Sequence, residues 1–443
     1  MATPSLDQVP HLVKVTDRDQ AEFLRESVAD LLGRSIKSFP GAQPVSFARK
    51  HLRELEERDY FLAEKTDGIR LLLYLTQLPD GREAQYFIDR KNDYYHVEPG
   101  YLHIPIQNPD PRAPKRYIVG QFNRNTLLDG ELVSQHFKDR PSRLTYLMFD
   151  CLAFEGISVM HLKFDDRIAK IHNKIIPMVE DFRRDWPDEA AVQPFQLKLK
   201  AQELAYGIQI MLNETIPKLP HGNDGLIFTC KETPYKPGTD EHILKWKPPH
   251  ENTIDFVLQL GSFPIREDED GQYEDFDAIP EIQLLVNHGG ATGYRQFDRD
   301  SGQLHLTPTE WEAIKGMGQQ IDWRIIECYR EKETGHWRPK IDADGTPRFR
   351  DDKKDANHIS VVDSVLESIE DAVTEQELTT QSRYMSIRNA WKERAKIREQ
   401  QQRQQEQQKR QQAEMEQKRR QQEAARQQAE AEADDGPGYE DDD

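Results

Sequence analysis

The stretch Tyr60-Phe61-Leu62-Ala63-Glu64-Lys65-Thr66-Asp67-Gly68-Ile69-Arg70-Leu71-Leu72-Leu73-Tyr74-Leu75 sets two apolar runs on either side of an Asp-Gly turn. That arrangement predicts a β-hairpin. Lys65 would sit at its mouth, where a tight turn holds the amine rigidly toward a cleft. An amine attacks only when neutral, and a free lysine has a pKa of about 10.4. Neighbouring cations or desolvation must lower that value before Lys65 can act as a nucleophile. Alone, the short Lys-x-Asp-Gly pattern equally fits an ordinary hairpin ending in a solvated lysine.

Farther along, Leu244-Lys245-Trp246-Lys247 reads as a strand with Lys245 and Lys247 on one face. Two adjacent ammonium groups repel unless an anion lies between them, and a triphosphate suits that place. The same pair would depress the pKa of a third lysine nearby. An edge strand guarded by lysines against aggregation has the same pattern. Leu128-Asp129-Gly130-Glu131-Leu132-Val133 puts Asp129 and Glu131 on one strand face, where carboxylates can hold a hard divalent cation or accept from ribose hydroxyls. Asn223-Asp224-Gly225-Leu226-Ile227-Phe228 sets another carboxylate just before an apolar strand. Either Asp-Gly pair also reads as a simple turn.

Around these motifs the first 248 residues read as mixed α and β. A helix is expected over residues 48–57 with Ser46 as its cap, and strands over 84–89, 126–133, 144–150, 225–230 and 241–247. Ile168, Ile171 and Ile175 have helical spacing, which predicts a surface helix beginning near Asp165. Lys247-Pro248-Pro249 marks a boundary, because neither proline can donate in a sheet. Short alternating runs at 255–260, 281–286 and 323–329 then suit a small β-barrel of the OB type, and by spacing alone a sandwich as well. Residues 364–395 have helical character, with Val365, Leu366, Ile369 and Val373 on one stripe. From Lys396 the chain is mostly Gln, Glu, Arg, Lys and Ala, which favour helix, and it lacks the apolar seam of a coiled coil. A solvated, frayed helix with a disordered acidic tip is expected there. The division is thus 1–248, 249–375 and 376–443, an α+β chain of two folded domains and a helical Gln-rich tail. No internal repeat is apparent.

Composition excludes several classes. With 36% hydrophobic residues among 443, the chain can bury more than one core, while 31% charged residues and a mean hydropathy of -0.85 point to a water-soluble protein. No apolar run nears the roughly 20 residues of a membrane-spanning helix, and the N-terminus lacks a secretory pattern. Cys151, Cys230 and Cys328 are too far apart for a zinc ribbon or a disulfide framework. A net charge of -19 argues against a protein that coats nucleic acid, but not against one that grips a single end.

The order of the motifs is more telling than any one of them. Lys-x-Asp-Gly-x-Arg, the acidic strand, Phe149-Asp150, Asp224-Gly225 and Leu-Lys-Trp-Lys follow one another as in the covalent nucleotidyltransferase superfamily, which comprises mRNA capping guanylyltransferases and the DNA and RNA ligases. Within it, the chain resembles the fungal type of capping enzyme. Phe39-Pro40-Gly41-Ala42-Gln43-Pro44-Val45-Ser46-Phe47 is similar to a segment upstream of the lysine in those enzymes, and Asn252-Thr253-Ile254-Asp255-Phe256 to their domain junction. Arg350-Asp351-Asp352-Lys353, with Trp337 before it and Asn357 after, resembles their last motif. That motif commonly ends Pro-Asn, whereas here it is Ala356-Asn357, which loosens the register near 350–357. The resemblance spans roughly residues 30–390.

What the resemblance implies is concrete. It implies a mixed α/β nucleotidyltransferase domain with antiparallel sheets, followed by an OB-fold barrel. Lys65 would attack the α-phosphorus of GTP and carry GMP as a phosphoramidate. Lys245 and Lys247 would stabilise the α-phosphate, and Asp224 would lie near the nucleophile and the metal, with Asp67 a second metal-side carboxylate. Thr66, Arg70, Arg90, Glu131 and Phe149 would hold the nucleoside, the ring of Phe149 stacking on guanine. Arg350, Asp352 and Lys353 would reach the pyrophosphate from the OB domain when the domains close. Mg²⁺ or Mn²⁺ would neutralise the phosphates, and the acceptor would be a 5′-diphosphate RNA end. The family further implies a nuclear setting, docking to the phosphorylated C-terminal repeats of RNA polymerase II, and a separate RNA 5′-triphosphatase. Two rivals stand beside this reading: an ATP-dependent polynucleotide ligase using the same lysine, and an inactive scaffold that binds polymerase.

Overall fold

The computed structural model describes residues 5–434 except Asp270 and Ala343, with side chains described to residue 425. The acidic tip expected at the end lies outside the described residues. Residues Met1–Tyr384 form one compact unit and Met385–Asp443 a second.

Two sheets, each antiparallel but for one strand, build the first part. One orders Leu12–Lys14, Tyr94–Val97, Glu83–Ile88, Ile69–Gln77, Thr126–Gln135, Arg143–Phe154 and Ile157–Ser158, with Gln196–Leu199 parallel to Arg143–Phe154. Its centre is covered on both faces, which is why residues 71–75 read as an unbroken apolar run. Leu71, Leu73 and Leu75 pack with Ile171, Ile175 and Val179, while Leu72 and Tyr74 meet Leu24, Val28 and Leu32 of helix Arg18–Leu32. The expected isoleucine helix is therefore a core element. It runs as Phe164–Lys170, a π-turn at Ile171–Ile175, and Ile176–Asp185.

The second sheet orders Glu203–Leu204, Tyr60–Thr66, Asn223–Cys230, Gly238–Trp246 and Ala42–Ser46. The predicted hairpin is thereby corrected. Tyr60–Thr66 pairs with Asn223–Cys230, whereas Ile69–Gln77 pairs with Glu83–Ile88 and Thr126–Gln135. Asp67-Gly68 carries the chain from one sheet to the other. The Asp67 N–H donates to Gly222 O at 3.0 Å. A Cβ on Gly68 would lie 2.7 Å from Leu132 O, so only glycine lets the crossing segment lie so close against strand Thr126–Gln135.

Ser46 is also not a helix cap. It ends a strand paired with Lys245, and helix Arg49–Glu57 starts after Ala48, whose N–H donates to His51 Nδ1 at 2.8 Å. Sheet pairing claims Ser46 before the helix begins.

After Pro249 a third sheet orders Tyr294–Gln296, Ile282–Asn287, Thr253–Leu260, Ile325–Arg330 and Trp337–Pro339. Residues 302–305 link its two sides. Leu304 N–H donates to Ile282 O and His305 N–H to Trp337 O, at 2.8 and 2.9 Å, which completes a backbone circuit around Phe256, Leu284, Ile326 and Trp337. This β-rich ring is the element for which an OB barrel or a sandwich was expected. Trp323 lies just outside its strand.

The expected C-terminal helix is three pieces, Ile359–Glu370, Glu375–Leu378 and Gln381–Asp434. Thr374 restarts the helix through a capping box with Glu377. Val365, Leu366 and Ile369 enter the ring core, but the Val373 carbonyl instead accepts from Trp246 Nε1 at 2.7 Å. The last helix exposes every side chain over residues 401–425.

Candidate active site

The edges of the first two sheets meet at Lys65. Asp224 accepts from Lys65 Nζ at 2.6 Å through one oxygen and pairs with Lys247 Nζ at 2.7 Å through the other. A bulge between Asn223 and Leu226 aims that carboxylate. Gly225 makes the bulge possible: its φ is +140°, and a Cβ there would sit 2.0 Å from Trp246 O. Lys245 projects on the same side of its strand as Lys247. Its pKa falls below the ordinary lysine value through burial and through repulsion by Lys247, Lys65 and Arg90. Asp224 is held below the usual carboxylate range, because attraction to Lys65 and Lys247 outweighs the cost of burial. Lys65 and Lys247 thus meet at one carboxylate seated between them, with Lys245 near enough to be repelled by both.

Beside this cluster a cleft is lined by Lys65, Thr66, Arg70, Arg90, Glu131 and Phe149, the residues expected at a nucleoside. Arg70 is pinned by Asp129, with contacts of 3.0 and 2.6 Å, and Asp129 also accepts from Tyr235 OH at 2.6 Å. Asp129 therefore positions Arg70 and is not open to a cation. The Phe149 ring lies beneath Arg70 and Lys200, 5.2 and 5.8 Å from its centroid. Burial raises the Glu131 pKa against the pull of Lys200, Lys65, Arg70 and Arg90. The Arg90 pKa is lowered by burial and by Arg70. Such a cleft favours an anionic ligand carrying a flat ring.

Lys200 was missed by sequence. It is buried, bonds the Thr66 hydroxyl, and lies 3.7 and 3.9 Å from Glu64 and Glu131. The available signal was Leu197-Lys198-Leu199-Lys200, the same alternation that singled out Lys245 and Lys247. Tyr235, which fastens Asp129 and accepts from the Ala42 N–H at 2.8 Å, had no local signal.

Arg350, Asp352 and Lys353 stand apart from the cluster. Arg350 holds Asp352 at 3.0 Å and lies 3.3 Å from Glu327 and 3.5 Å from Asp255, and Lys353 pairs with Asp255. Asn357 locks the same region, accepting from Asp255 N–H at 2.8 Å. All these partners belong to the third sheet and its loops. Asp67 sits at the crossing beside Gly222.

Residues 6–249 match the family model of the mRNA capping enzyme catalytic domain, and residues 251–379 match that of the mRNA capping enzyme C-terminal domain. The mRNA-capping enzyme subunit alpha of Neurospora crassa is 42% identical over 395 residues, covering 86% of this chain and 93% of the relative. Its counterpart in Schizosaccharomyces pombe is 44% identical over 363 residues, covering 82% and 84%. That of Saccharomyces cerevisiae is 34% identical over 418 residues, covering 87% of each. With both of its β-rich parts matched and relatives at 42–44% identity over more than four-fifths of its length, the chain belongs to the mRNA capping enzyme family, as a guanylyltransferase that takes GTP as substrate.

Proposed function

We propose that Lys65 carries GMP between GTP and a 5′-diphosphate RNA end. The observation that supports this is the pairing of Lys65 and Lys247 with the two oxygens of Asp224, beside the nucleoside cleft that Lys65 lines. The Lys65 amine, once deprotonated, forms a bond from Nζ to the α-phosphorus while the bond to pyrophosphate breaks. Lys245 and Lys247 offset charge on the α-phosphate oxygens in a cleft where water screens poorly. The second transfer runs in the opposite sense. A terminal phosphate oxygen of the RNA bonds to phosphorus, the P–N bond breaks, and the amine regains a proton. Phe149 supplies the stacking surface for guanine, and Arg70, Arg90, Thr66 and Glu131 hold the nucleoside.

Among the described residues, no three His, Cys, Asp or Glu side chains gather as a ready metal site. Both oxygens of Asp224 are engaged by lysines. A Mg²⁺ or Mn²⁺ ion bound mainly through nucleotide phosphates and water, with Asp67 and Asp224 as the carboxylates at hand, fits that donor set. Its chemistry would be neutralisation of phosphate charge. Arg350, Asp352 and Lys353 act on the pyrophosphate after the ring of residues 249–375 closes over residues 1–248, leaving their present carboxylate partners. A separate RNA 5′-triphosphatase supplies the diphosphate end. Docking to phosphorylated RNA polymerase II repeats, in the nucleus, brings the enzyme to nascent RNA.

The test is direct. Incubation with α-labelled GTP should label the protein through an acid-labile bond, and Lys65→Ala should abolish labelling. Labelling by ATP alone would overturn the guanylyl assignment.

A further inference from the structure

The turn before strand Ile325–Arg330 carries a feature that folding alone does not require. Trp323 is 56% exposed and has a left-handed backbone with φ +63°. A bulky aromatic residue is a poor occupant of that region, which glycine fills without strain. The conformation is fixed by the backbone: Trp323 N–H donates to Leu258 O, and Leu258 N–H to Arg324 O, both at 2.9 Å. The indole is thereby held outward at a set place. Tyr294 meets it edge to face, with centroids 6.3 Å apart. Arg324 lies over the Phe349 ring at 4.1 Å and is gripped by Asp351 at 2.9 and 2.7 Å.

Tyr294, Trp323 and Arg324 line one hollow with Arg350, Lys353 and Lys354. Four cations border it with Asp351 and Asp355, and three of them, Arg324, Arg350 and Lys353, are already paired with carboxylates. Lys354 is exposed and forms no salt bridge with any described residue. Exposed aromatic rings among cations suit single-stranded nucleic acid, whose bases stack on the rings while phosphates meet the charges. We infer that this hollow, with Trp323 as its stacking platform, binds a nucleotide of the acceptor RNA downstream of the 5′ end. The inference rests on the reading of Arg350 and Lys353 as phosphate-facing residues at closure, which brings the same hollow beside the active cleft.

Trp323→Gly tests it without endangering the fold, since glycine suits the backbone at this position. Enzyme–GMP formation from GTP should stay at the wild-type level. Transfer of GMP to a single-stranded 5′-diphosphate oligonucleotide should show a KM raised about 5- to 150-fold, the range of one lost base–aromatic stack. A 5′-diphosphate dinucleotide, which lacks the downstream nucleotides, should be used equally by both proteins. Lys354→Ala should flatten the dependence of the oligonucleotide KM on salt. An unchanged oligonucleotide KM in Trp323→Gly, or an equal loss with the dinucleotide, would overturn the inference. If the wild-type protein forms no GMP adduct, the fault lies instead in the role given to Lys65.

Discussion

Asp224→Asn removes one charge and keeps the side chain's shape, so it isolates what the carboxylate does between Lys65 and Lys247. At 2.6 and 2.7 Å, each contact is worth between about 1.6 kcal/mol with water-like screening and about 6 kcal/mol at an effective dielectric near 20. Desolvation of three charges offsets much of that. Removing one partner of a buried ion pair typically costs about 3–5 kcal/mol. The Asp224 side chain retains 27% exposure, so the lower end of that range is expected in urea unfolding at neutral pH. The pH dependence carries a sign. The native Asp224 pKa lies below its unfolded value, so its stabilisation is complete above the unfolded pKa and disappears as pH falls through the native one. The gap between wild type and Asp224→Asn should therefore persist at mildly acidic pH and close only below the ordinary carboxylate range. Adding Lys247→Met to the Asn variant should recover part of the loss, because it removes an ammonium left without its counter-ion. An Asn variant as stable as wild type, or a double variant less stable than the single, would refute the view that this carboxylate holds the lysines together.

Lys245→Met should raise the melting temperature at neutral pH. The native Lys245 pKa is depressed by burial and neighbouring cations, so its charge costs stability below that pKa, and the cost fades as pH rises toward the unfolded value of about 10.4. The same variant should lose GMP transfer by about 10²- to 10³-fold, as for a lost transition-state charge partner; a melting temperature that falls at pH 7 would contradict the assignment. Gly68→Ala should cost about 1–3 kcal/mol in chemical unfolding, since its Cβ would lie 2.7 Å from both Leu132 O and Val133 Cγ1. An alanine variant with an unaltered unfolding midpoint would show that the crossing can shift away from strand Thr126–Gln135 freely.

Much of the site was legible because its chemistry lies at short spacing. Alternation alone puts Lys245 and Lys247 on one side, and Asp224-Gly225 announces a carboxylate at a backbone irregularity. The pairing of Tyr60–Thr66 was not legible. Two apolar runs about an Asp-Gly turn favour a hairpin locally, yet Asn223–Cys230 supplies a partner more than 150 residues away. The local signal sees the turn, but not that each run has a better-matched neighbour in its own sheet. Lys200 was hidden for a related reason. Its alternating segment looks like any amphipathic strand until parallel pairing with Arg143–Phe154 carries it beside Phe149 and Glu131.

The expected crowding of cations around Lys65 was half of the arrangement. A site made only of lysines would repel itself before any substrate arrived, and the fold supplies Asp224 as the counter-charge. The third sheet repeats this economy: Arg350 and Lys353 are held by Asp255, Glu327 and Asp352. In both places carboxylates occupy positions next to cations that phosphates of the substrate would seek. Such pairing lowers the net cost of gathering the cations in advance, because the charges are already partnered and oriented. What the substrate meets is the local field of pre-assembled lysines and arginines, and the total charge of the chain has little influence at that distance.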